Sequence, residues 1–88
     1  MKIDLNKNVI DLDGNQIEGA NMGKIVAQFL VNESKGDALK FWDWALRLNK
    51  GEVLDLDMSD QETFKSLIKE TEKLPIITKA QILAALQK

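Results

Sequence analysis

Residues 11–19, "DLDGNQIEG", bring three acids and two glycines into nine positions. The stretch admits three readings, a calcium loop, the edge of a catalytic site or a tight turn, and the choice decides whether the chain opens on chemistry or on a β-hairpin. An EF-hand loop requires oxygen ligands at alternate positions, a glycine at the sixth and a bidentate glutamate at the twelfth. Asp11 and Asp13 fit the first two ligand positions, but Gly14 arrives fourth and position twelve is Met22. Asp-Gly between alternating segments is instead a hairpin signal, because a type I′ turn needs positive φ at both central residues. With Asp13-Gly14 as that loop, Ile10 lies opposite Ile17. Ile10, Leu12 and Ile17 then point inward, and Asp11 and Gln16 face water. The stretch reads as a turn.

Working outward, Lys2 to Leu5 alternates, with Ile3 and Leu5 on one face. On the other side Asn21 can cap a helix from about Met22 to Glu33, whose Met22, Ile25, Val26 and Phe29 share one stripe. Lys35-Gly36 breaks it. Asp37 starts a second helix that stops near Asn49-Lys50-Gly51. Its apolar residues, Ala38, Leu39, Phe41, Trp42, Trp44, Ala45, Leu46 and Leu48, cover more than half the circumference, so this helix should be central. Glu52 to Asp57 alternates again and predicts a short strand that joins the hairpin. Ser59-Asp60-Gln61-Glu62 reads as a capping box opening a third helix, with Phe64, Leu67, Ile68 and Thr71 buried and Pro75 ending it. Thr78-Lys79-Ala80-Gln81 reads as a second capping box, with Ile77 and Ile82 as its staple. The last helix then runs to the C-terminus. The expected fold is α+β over residues 1–88: an N-terminal β-hairpin, a third short strand and about four helices around Phe41, Trp42, Ala45 and Phe64.

Eighty-eight residues support one core, and the 44% apolar and 30% charged content is that of a folded globule. Per-residue scaling gives a stability of about 4–13 kcal/mol. With no cysteine and no histidine, disulfides, zinc sites and the usual activated nucleophiles and imidazole bases are all absent. The five glycines are scattered, so no phosphate-binding loop is spelled out. Asp55, Asp57, Asp60 and Glu62 could suggest a magnesium site of the nuclease kind. The plainer reading is complete, with Asp55 and Asp57 on the wet face of a strand and Asp60 and Glu62 at a helix N-terminus. These observations lead to no catalytic residue, no metal, no cofactor and no small-molecule substrate. No apolar run approaches a membrane span. Charge sits at the N-terminus where a signal peptide needs its apolar region, so a cytoplasmic location is expected.

A net charge of −2 and a pI near 5.0 provide no broad footprint for a phosphate backbone. Lys65, Lys69 and Lys73 do recur every four residues along the third helix, ahead of a turn and a final helix, in a faint helix-turn-helix pattern. Glu62, Glu70 and Glu72 lie close by, which favours a solvated face over a nucleic-acid contact.

Taken in order, "DLDGNQI", "NMGKIVAQFL", "KGDALKFWDWALRLNKGE" and "KAQILAAL" resemble short proteins encoded in tailed-phage and prophage genomes. The most specific part is the tryptophan-bearing helix followed by Lys50-Gly51-Glu52 and an alternating acidic strand. The resemblance implies expression in the cytoplasm of a bacterial host and an accessory role, and it supplies no catalytic residues. The expected function is therefore non-enzymatic protein–protein interaction, with a host or phage protein or with a second copy. The alternative is a nucleic-acid-binding accessory protein using the Lys65/Lys69/Lys73 row. Trp44 lies at the border of the apolar arc beside Lys40 and Arg47, and Leu83 and Leu86 belong to a short terminal helix that cannot persist undocked. These three residues are the expected interface.

Overall fold

The computed structural model describes residues 2–86, so the expected run of the last helix to Lys88 partly lies outside the described residues. The elements in order are β1 (Lys2–Ile3), β2 (Asn8–Ile10), β3 (Gln16–Asn21), α1 (Met22–Val31), α2 (Ala38–Asn49), β4 (Leu54–Asp55), α3 (Met58–Glu70) and α4 (Ile76–Ala85). The class is α+β with an N-terminal hairpin, as the sequence pattern predicts. The third strand does not join that hairpin. β4 pairs antiparallel with β1, placing Ile3 opposite Leu54 and Lys2 opposite Asp55, while β2 and β3 form a separate two-stranded sheet. The Ile3 and Leu54 side chains are thereby buried together with Leu5 and Leu56, the inward positions of their alternations.

At the hairpin the turn is present but its type differs from the expected I′. Among the described residues no non-glycine has positive φ, so Asp13 is not left-handed, whereas Gly14 is, at φ +86°. The Gly14 N–H donates to the Asp11 carbonyl at 3.1 Å, which makes Asp11–Gly14 a type I turn followed by a left-handed glycine. The Asp11 carboxylate accounts for the choice. Its Oδ1 accepts from the backbone N–H of Asp13 and of Asn15, each at 2.9 Å, and this Asx arrangement spares Asp13 a strained conformation. The loop is longer than the two residues of a type I′ turn, so Ile10 lies opposite Gln16 and not Ile17. A slip of one residue exchanges the two faces of a strand. Val9 accordingly enters the core, Ile10 and Ile17 are left partly exposed, and Leu12 at the tip is 98% exposed.

Asn21 ends β3 and caps α1, its side chain accepting from the Lys24 N–H at 3.1 Å and donating to Asn6. The next two donors of the helix are also satisfied, Met22 N–H by the Lys7 carbonyl and Gly23 N–H by the Leu5 carbonyl. A side chain at Gly23 would meet the Leu48 carbonyl at 2.9 Å and the Leu5 carbonyl at 3.4 Å. Glycine there lets α1 start wedged between the N-terminal segment and the end of α2.

Asp37 caps α2, and the helix ends in a Schellman motif in which Gly51 N–H reaches the Leu48 carbonyl and Glu52 N–H the Arg47 carbonyl. Phe41, Trp44, Ala45 and Leu48 form the buried stripe at helical spacing. Trp44 stacks on Phe41 at 5.4 Å between ring centroids and meets the edge of Phe64 on α3 at 5.7 Å. The three rings join α2 to α3. Asp57, not Ser59, caps α3 by accepting from the Asp60 N–H at 2.8 Å. Asp57 has therefore left the strand, which covers only Leu54 and Asp55.

The start of α4 also departs from the capping-box reading. The helix begins at Ile76 behind Pro75, and Thr78 is buried within it. Gln81, expected to close that box, instead reaches across the molecule to β2. Its Oε1 accepts from the Ile10 N–H at 2.8 Å and its Nε2 donates to the Ile10 carbonyl at 2.7 Å. One amide reproduces the pair of bonds a neighbouring strand would make. Lys79 donates to the Lys69 and Thr71 carbonyls, placing a cation on the C-terminal end of α3. Among the described residues, no helix is long and apolar enough to cross a membrane.

Candidate functional site

The helical hairpin α1–α2 has an inner face in the core and an outer face in water. Because α2 packs through the 41/44/45/48 stripe, the residues about 100° round the helix, Leu39, Trp42 and Leu46, fall on the outer face. Trp42 is 55% exposed and Leu39 still more so. Val31, from the last turn of α1, is also exposed and lies alongside Trp42. The helical periodicity predicts Trp42 in the core and Trp44 at its border, and the fold reverses the two tryptophans. Trp44, expected at the border, is 5% exposed and lies in the aromatic cluster.

Trp42 stands between two hollows in this face. One, of about 180 Å³, is floored by Ala27 and Ala45 and walled by Val31, Trp42, Leu46 and the polar pair Gln28 and Asn49. The other, of about 140 Å³, lies on the far side of the indole toward Lys35 and Gly36. Small residues at 27 and 45 let the helices approach and leave the floor low, while the indole rises beside it. The carboxylates at the margins already have cations of their own chain. Glu33 pairs with Lys73 at 2.8 Å, and Asp43 pairs with Arg47 at 3.1 Å. The face is one of apolar ridge and trough, with Glu33, Ser34 and Lys35 lining the second hollow.

The remaining sequence-level sites are dispersed by the fold. Leu86 is 1% exposed and Leu83 half-buried, both packed on the core from the end of α4, far in role from a free surface. Trp44 and Leu86 are core positions and Leu83 is a partly buried one packed against the core, because the short helix docks by inserting its apolar residues. α3 ends at Glu70 with Thr71 as its cap, so Lys73 is off the helix and committed to Glu33. Lys65 is half-buried and Lys69 exposed, and the three do not line one continuous helical row. The acidic residues separate too. Asp57 caps α3, and Asp60 takes a 2.7 Å hydrogen bond from Lys40 of α2. That bond and the charge of Asp60 raise the Lys40 ammonium above its ordinary 10.5. Among the described residues no three His, Cys, Asp or Glu side chains are grouped to hold a metal ion. Comparison with protein-family models, with curated proteins and with solved structures yields no match to this chain.

Proposed function

We propose that this chain is a non-enzymatic accessory protein that works by protein–protein association through the outer face of α1–α2. The observation that carries the reading is Trp42: a large aromatic side chain more than half exposed beside a trough floored by alanines. Burying such a ring is among the larger single gains available to an interface, and aromatic anchors set beside apolar pockets dominate measured association energies. Several apolar side chains left together on a small domain indicate a surface kept for contact. A sequence without cysteine or histidine, whose paired carboxylates serve as caps and ion pairs, supports association over catalysis. The resemblance to tailed-phage proteins supports a setting in the cytoplasm of a bacterial host, with a host or phage protein or a second copy as partner.

The test is capture by immobilised protein, comparing wild type with Trp42→Ser. A partner, including the chain itself, retained by the wild type and lost by Trp42→Ser while the variant still melts cooperatively as a folded protein is the expected result. Equal retention by both proteins would move the working surface elsewhere.

A further inference from the structure

We infer that the occupant of this face is an acidic, amphipathic helical segment of another protein. It lies along the groove between α1 and α2 with an apolar side chain in the Ala27/Ala45 trough beside Trp42. The inference rests on the association reading above and gives its partner a chemistry. Charge is the observation that carries it. Three lysines frame the groove: Lys24, one turn before Gln28 on α1; Lys50, next to Asn49 at the end of α2; and Lys35, lining the hollow beyond the indole. The start of α1 meets the end of α2, where Gly23 abuts the Leu48 carbonyl. Lys24 and Lys50 therefore share one end of the groove, and Lys35 stands at the other. All three are exposed, and among the described residues none of their ammonium groups has an ion pair. The nearby acids are engaged within the chain: Glu33 by Lys73, Asp43 by Arg47, and Asp37 by the Lys40 N–H at the start of α2. The face is apolar in the middle and cationic at both ends.

Shape selects a helix. Both walls of the groove are helices whose backbone groups bond internally, so an extended peptide would find no main-chain partners there, whereas a helix satisfies its own. A third helix against a packed pair follows ordinary ridge-and-groove geometry. Helices of 10 and 12 residues rise about 15 and 18 Å. A ligand helix with acids eleven residues apart, about 16 Å, spans from Lys24 and Lys50 to Lys35. The face it covers, roughly 18 by 20 Å, falls below the ~600 Å² per partner at the small end of stable interfaces, which is the size of a transient contact. Charge then supplies selectivity, and the binding weakens with salt. The same lysines disfavour other occupants. A second copy would bring three more cations to the contact. A single nucleic-acid strand could stack a base on the indole and set phosphates against the lysines. It would leave Ala27, Val31, Ala45 and Leu46 without an apolar partner.

The test selects two display libraries of amphipathic helices on the full chain. In both, Leu, Ile, Met and Phe vary along one stripe; the flanking positions are Glu in one library and Lys in the other. The expected result is recovery of Glu-flanked helices, whose labelled peptides bind the wild type by fluorescence anisotropy. Their dissociation constant should rise about tenfold or more when Lys24, Lys35 and Lys50 all become Glu, and likewise in Trp42→Ser. Thermal melting identifies a variant that has lost its fold. The three lysines are exposed, so their variant decides the matter if Trp42→Ser unfolds. Failure to recover a Glu-flanked binder overturns the inference, as does equal recovery of Lys-flanked helices or a peptide indifferent to the lysine variant. An oligothymidylate that binds through the same residues more tightly than the peptides assigns the face to nucleic acid and overturns it too. If acidic helices fail yet the wild type captures a protein that Trp42→Ser loses, the association reading stands without an acidic partner. If that capture fails as well, both fall.

Discussion

Gly23 has no room for a side chain, since a Cβ there would sit 2.9 Å from the Leu48 carbonyl, a backbone atom fixed by the end of α2. Gly23→Ala should therefore destabilise the protein by about 1–3 kcal/mol, the range for overpacking, although alanine is the better helix former. A lowered midpoint in urea is the expected reading, and a midpoint at or above wild type would mean that α1 and α2 meet elsewhere. Lys40 offers a test by pH. Its pKa is raised in the fold, chiefly by the hydrogen bond from its ammonium to Asp60 and by that carboxylate's charge. A raised pKa contributes stability that is fully present below the unfolded value and is lost as pH rises through the folded one. The melting difference between wild type and Lys40→Met should thus hold through neutral pH and shrink above 10.5, with a small amplitude because the pair is near the surface. A difference that stays constant through that alkaline range would contradict the pairing.

At the scale of elements, Gln81 ties α4 to the hairpin by polar bonds beside the apolar docking of Ile82 and Leu86. Its two bonds to the Ile10 backbone close the free edge of β2, and Gln81→Leu removes both while keeping most of the bulk. The expected cost is about 1–3 kcal/mol, the net worth of two hydrogen bonds whose backbone groups return to water. Faster exchange of the Ile10 amide hydrogen is the local sign. Unchanged exchange at Ile10 would show that α4 docks by its apolar residues alone. No local pattern could announce this contact, because 71 residues separate its partners. What was legible in the sequence was whatever short-range chemistry controls: Asn21 and Asp37 as caps, Gly51 as a stop, and the helices they delimit. The hairpin was legible as an element but not in register, since the carboxylate of Asp11 can supply a turn that the Asp-Gly pair does not dictate. The rotation of α2 was hidden for a related reason. Its apolar arc contains two overlapping stripes of helical spacing, and only the placement of α1 and α3 decides which is buried.

For the whole molecule, that rotation separates two tryptophans a single residue apart into opposite roles. Trp44 joins Phe41 and Phe64 at the junction of α2 and α3, where truncation to alanine would cost about 3–5 kcal/mol, as for other buried aromatics. Trp42 crowns the outer face of α1–α2, and its loss should cost less, about 1–2 kcal/mol, because nearly half of the side chain is covered. The proposed association surface depends on this assignment. It is tested most directly by acrylamide quenching of fluorescence in dilute solution, with each tryptophan isolated by replacing the other with phenylalanine. The Trp44→Phe protein, which retains Trp42, should emit at long wavelength and be quenched readily. The Trp42→Phe protein, which retains Trp44, should emit at shorter wavelength and resist the quencher. The opposite order, with Trp42 shielded and Trp44 open to acrylamide in dilute folded protein, would contradict the account.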